Sequence, residues 1–81
     1  MNYQKEIKAN ELKNLRRDLG ARQEDIAAKL KKDIADRLSH WETGRALPSL
    51  INLFRLSALY KKYPHELYPE LFQTLLKEAQ H

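Results

Sequence analysis

Four side chains near the middle of the chain, Ala35, Asp36, Arg37 and His40, stand on one side of a 3.6-residue period, with Leu38 and Trp41 opposite. Their shared chemistry is recognition of a base edge, by hydrogen bonds from the polar three and by apolar contact from Ala35. The Arg37 guanidinium offers two donors that match O6 and N7 of guanine, and Asp36 accepts from a cytosine amino group. His40 donates or accepts, and Ala35 is small enough to touch a thymine methyl. Each well-placed bidentate contact discriminates against a wrong base by about 1 to 3 kcal/mol. Plainer roles stand beside these: Asp36 as a helix-cap acid, Arg37 as a solvated charge or a phosphate contact. Bond-making chemistry has no comparable footing. His40, His65 and His81 lack metal-ligand spacing, the chain has no cysteine, and no nucleophile or paired carboxylates stand out. The expectation is therefore no enzyme, no metal and no cofactor.

These residues need elements to position them. Eighty-one residues make one domain, expected to span 1–81 with a core over 8–68 and a further helix over 70–79. A core of this size is marginal unless helix packing is efficient or a partner adds buried surface. The hydrophobic fraction of 42% and only two glycines suit an all-α domain. Fifteen Lys and Arg against eleven Asp and Glu leave a net charge of +4, which favours a polyanionic partner without identifying it. No apolar run approaches the roughly 20 residues of a membrane span, and Met1-Asn2-Tyr3-Gln4-Lys5 lacks the apolar centre of a signal peptide. The expected setting is the cytoplasm, away from membranes.

Leu12, Leu15 and Leu19 predict a first helix from about Lys5 or Lys8 to Leu19, ended by Gly20. Ile26, Ala27 and Leu30 form the inner stripe of a second, from Gln23 to about Leu30, whose Glu24 and Asp25 suit the positive end of the helix dipole. A third spans about Ile34 to Glu42, with Asp33 as its cap, Asp36 three residues on, and Trp41 in the core. Thr43-Gly44 stops it. Ser49 caps a fourth helix carrying Leu50, Leu53, Phe54, Leu56 and Leu59, and Tyr63-Pro64 opens a short fifth through Leu67. Leu71, Phe72, Leu75, Leu76 and Ala79 stripe a last helix from Glu70.

The order of these features resembles the XRE family, the lambda-repressor-like or Cro-type helix-turn-helix domain. The matching residues are Leu12-x-x-Leu15-Arg16, Gly20, Gln23-Glu24-Asp25-Ile26-Ala27-x-Lys29-Leu30, Leu38-Ser39-x-Trp41-Glu42-x-Gly44, Pro48-Ser49-Leu50 and Glu66-Leu67-Tyr68. They cover roughly Leu12 to Tyr68. The resemblance implies a five-helix lambda-repressor-like fold, here with an additional C-terminal helix, whose second and third helices read double-stranded DNA. It makes Ala35, Asp36, Arg37 and His40 the base contacts and puts Gln23 where the family meets phosphate, at a helix N-terminus. Thr43, Gly44 and Arg45 follow the reading helix, where backbone N–H groups and a cation can meet the sugar-phosphate chain. Arg22, Lys31, Lys32, Lys13 and Arg16 are peripheral cationic candidates. Three departures stand out: Arg22 replaces the usual Ser or Thr cap, Lys31 replaces the usual glycine, and the stretch from Leu30 to Trp41 is one residue longer than the common spacing.

The functional expectation is a sequence-specific transcriptional regulator, a repressor by family resemblance, acting as a homodimer on a two-fold site. Such a protein belongs to a prokaryote, phage or plasmid and associates with the nucleoid. Leu71, Phe72, Leu75 and Leu76 are the expected dimer interface, unless they fold back onto their own core. The alternative is an antitoxin or adaptor that holds a protein partner through the same last helix.

Overall fold

Leu12, Ile26, Leu38, Leu56 and Leu67 are fully buried and meet in one core, although each comes from a different helix. A computed structural model describes residues 2–30 and 34–80, Ala35 by its backbone. The helices are α1 (Gln4–Lys8), α2 (Leu12–Asp18), α3 (Gln23–Leu30), α4 (Ala35–Glu42), α5 (Leu50–Tyr60), α6 (Pro64–Leu67) and α7 (Pro69–Ala79). No strand occurs among the described residues. The architecture is all-α: five helices, α2 to α6, enclose the core, and α7 is the additional C-terminal helix. Ile34, Trp41, Tyr60 and Tyr68 complete the core cluster. Each fully buried aliphatic side chain contributes about 1.5 to 3 kcal/mol, so these five outweigh any single polar contact.

The expected first helix is two. Asn10 breaks it, since its Oδ1 accepts from the Leu12 N–H at 3.0 Å while its Nδ2 donates to the Ile7 carbonyl at 2.9 Å. Asparagine commonly makes such local bonds, which compete with a continuing helix. The preceding piece, α1, turns away and packs on α7, where Tyr3 Oη donates to Glu78 Oε1 at 2.9 Å. Leu19 is not core either. The helix ends at Asp18 and Gly20 takes φ +68°, leaving Leu19 59% exposed.

The fourth expected helix is α5, and Ser49 caps it by accepting from the Asn52 N–H at 3.2 Å. Its apolar stripe is wider than the face the core covers. Leu56 and Tyr60 are buried and Leu53 and Leu59 half-buried, whereas Leu50, Ile51 and Phe54 lie round the helix and are exposed. Lys61 closes α5 in the left-handed conformation at φ 55°. At α6 the Glu66 carboxylate accepts from the Tyr63 N–H at 2.8 Å, an acid satisfying a helix start. Asp33, expected to cap α4, lies outside the described residues together with Lys31 and Lys32, and the longer turn they belong to. Buried Ile34 anchors the chain immediately before α4.

Two core hydroxyls, Tyr60 Oη and Tyr68 Oη, have no hydrogen-bond partner among the described residues. Burial, with the Glu42 charge adding, pushes the Tyr60 hydroxyl up to about 12, and burial raises Tyr68 further. Both rings are neutral core members with an unmet polar tip.

Candidate nucleic-acid interface

Arg16 and Glu42 fix the pose of α4. Glu42 falls one turn after Leu38 and Arg16 one turn after Leu12, so each charge sits on the buried face of its helix. Arg16 Nε donates to Glu42 Oε2 at 2.7 Å and Nη2 to Oε1 at 3.0 Å, a two-pronged pair. The remaining arm, Nη1, donates to the Ala21 carbonyl at 3.0 Å. Gln23 Nε2 also donates to Glu42 Oε1, at 3.0 Å. One carboxylate thus ties α4 to α2 and to the start of α3, and Arg16 extends the tie to the loop between them. The Arg16 pKa is raised, first by this hydrogen bonding, so the cation is permanent.

This corrects the expectation for Arg16. It is an internal cation, its side chain 12% exposed, and not a peripheral contact for DNA. The available signal was positional: an acid and a base each on an inward helix face require one another. The same network holds the Gln23 side chain, whose expected role was a phosphate donor. What remains outward at the start of α3 is backbone, since the Gln23 and Glu24 N–H groups have no intramolecular acceptor among the described residues.

Arg22 lacks the acceptor of a Ser or Thr cap, and Asp25 compensates from inside the helix. Its Oδ2 accepts from the Arg22 N–H at 2.8 Å, the returning half of a capping box. That backbone bond is the first cause of the lowered Asp25 pKa, with the Arg22 charge adding to it. The Arg22 guanidinium lies in solvent beside Glu24 and Asp25, at 3.3 and 3.6 Å. Surface pairs of this kind are weak, so the arginine is available to a stronger anion.

On α4, Leu38, Trp41 and Glu42 face inward, while Asp36, Arg37 and His40 are exposed on the other side. Ala35 opens the helix. Arg37 and His40 border a cleft shared with Ala46, Leu47, Ser49 and Asn52 at the start of α5. The turn after α4 differs from expectation. Its N–H groups are directed back at the helix: Thr43 to Ser39 O at 3.1 Å, Gly44 to Trp41 O at 3.2 Å, and Arg45 to His40 O at 2.8 Å. Thr43 Oγ1 also donates to Ser39 O, at 2.9 Å. These groups close the C-terminus of α4 instead of facing a phosphate, and the Arg45 side chain is left as the turn's exposed cation. Lys32 lies outside the described residues.

On α7, Leu71 is half-buried against the core, whereas Phe72, Leu75 and Leu76 are exposed. The fold-back onto the core thus holds for Leu71 and not for the other three.

A helix-turn-helix family model matches residues 12–67. The chain belongs to the XRE family of helix-turn-helix domains. Neither a curated protein nor a solved structure matches it. The match runs from the first residue of α2 to the last of α6, so α1 and α7 lie outside the family's unit. As an XRE domain the chain is a DNA-binding helix-turn-helix regulator, with α3 and α4 as the motif. No described helix is long and apolar enough to cross a membrane.

Proposed function

We propose that the protein is a sequence-specific transcriptional repressor that binds DNA as a homodimer with α4 in the major groove. One observation carries the reading: Asp36, Arg37 and His40 are exposed on a helix whose opposite face is locked by the core and by Glu42. A reading helix must present base-seeking side chains from a fixed frame, because misplaced donors lose their discrimination. Arg37 reads guanine, Asp36 cytosine, and His40 and Ala35 the neighbouring positions. Arg22, the amides at Gln23 and Glu24, Lys32 and Arg45 hold phosphates, and Thr43 supports Arg45 by closing the turn. Phe72, Leu75 and Leu76, flanked by Leu71, join two copies.

Selection of duplexes from a random pool, followed by titration at two salt concentrations against random competitor, tests this. The expected preference for a selected duplex is about 10³-fold or more. No preference for any duplex would overturn the reading. Arg37→Ala should relax specificity at one base pair, whereas Arg45→Ala should weaken all duplexes alike and reduce the salt slope by about 1. Equal losses on selected and random DNA for Arg37→Ala would make Arg37 a phosphate contact. The exposed apolar side chains of α7 favour a second reading, an antitoxin or adaptor. It requires a stable heterocomplex and only salt-labile, unselective DNA binding.

A further inference from the structure

The helix α1 lies directly on the turn that follows α4. Gly44 has φ +77°, and a Cβ at that position would stand 2.5 Å from Lys8 Cα and 2.9 Å from Lys8 N. Glycine is required there twice, by the backbone conformation and by the approach of α1. Asn10 fastens the same contact from the side, its Nδ2 donating to the Trp41 carbonyl at 3.0 Å.

The approach gathers charge. Gln4, Lys5 and Lys8 of α1 and Thr43, Gly44 and Arg45 of the turn line one open cleft. Its lining holds three exposed cations and no carboxylate, and none of the three is ion-paired among the described residues. The acid of α1, Glu6, is turned to α7, where it accepts from Thr74 Oγ1 at 3.4 Å. Lys5 also borders a neighbouring cleft that holds Glu6 and Glu70, whereas Lys8 and Arg45 do not; cations gathered in one cleft repel, and a polyanion that runs along it relieves this. The cleft begins at Arg45, beside the C-terminal end of α4.

We propose that α1 is part of the DNA-binding surface, with Lys5 and Lys8 joining Arg45 to hold the phosphate backbone at the C-terminal end of α4. This rests on the reading that α4 enters the major groove. It extends the interface to a helix outside the matched unit, and it explains why α1 is fastened to the turn by both Gly44 and Asn10.

The test uses the full chain, the duplex selected above and a random duplex. Lys5→Gln with Lys8→Gln should weaken both duplexes by roughly tenfold and lower the slope of log affinity against log salt by about 1.8, from two phosphate contacts. Base preference and melting temperature should not change. Lys61→Gln with Lys62→Gln, an equal charge loss outside the cleft, should leave the slope within error. An α1 variant that keeps the wild-type slope, or a control variant that loses as much, overturns the proposal while the reading of α4 stands. A wild-type chain that binds no duplex overturns both.

Discussion

Glu42 is 7% exposed yet meets three donors, two from Arg16 and one from Gln23. Taking charges out of water is costly, and the pair is tolerable because both carboxylate oxygens are met and the third arm of Arg16 reaches a carbonyl. Glu42→Ala should therefore destabilise the fold by about 3 to 5 kcal/mol, since it leaves a buried guanidinium unpaired. Urea unfolding measures this, and a loss below about 1 kcal/mol would mean that water reaches Arg16 freely. Changing both residues, Arg16→Met with Glu42→Leu, should recover most of the loss while loosening DNA specificity. At this scale the outward residues were legible and the inward pair was not. Asp36, Arg37 and His40 follow from the period set by Leu38 and Trp41. The helical period puts Arg16 and Glu42 on inward faces, but their bond joins positions 26 apart in sequence, and the packing of α2 against α4 is what pairs them.

Elements begin and end where particular side chains satisfy backbone groups, and α3 illustrates how such a device responds to pH. The Asp25 carboxylate accepts from the Arg22 N–H, which lowers its pKa below the ordinary value of about 3.9. A depressed folded-state pKa stabilises the fold above that ordinary value, and the contribution disappears as pH falls through the lower one. Asp25→Asn should thus be less stable than the parent at pH 7, with the two urea midpoints converging as pH falls below the ordinary carboxylate range. A gap that persists in acid would assign the effect to packing. Six of the seven described helices were legible from caps and apolar spacing, including Ser49 before α5 and Pro64 at the start of α6. The break at Asn10 was not, because the bonds that stabilise it include one to Trp41, far away in sequence. The width of the α5 stripe misled for a related reason. Periodicity gives an apolar face, but the neighbours decide how much of it is covered, and Leu50 and Phe54 stay exposed.

As a whole the molecule is elongated, 41 by 22 by 20 Å, and its apolar surface is uneven. Leu47, Leu53, Tyr68, Leu71, Phe72 and Leu75 are among the residues that line one open groove. Isolated exposed leucines are ordinary, but a cluster beside a groove is the usual mark of an interface. Phe72→Glu with Leu75→Glu should convert a dimer into a monomer by sedimentation, without loss of helix content. A dimer that survives both changes would remove α7 from the interface. The position of α1 gives this surface a further meaning. With Tyr3 and Glu6 it meets Glu78 and Thr74 of α7 on one side, and it packs on Gly44 on the other, so one short helix would link the proposed partner-binding helix to the proposed DNA-binding turn. Free energies of binding at two sites are reciprocal: if a partner on α7 alters DNA affinity by some factor, DNA alters the partner's affinity by the same factor. An operator would then be a ligand that sets the protein's assembly state as much as a sequence that the protein reads.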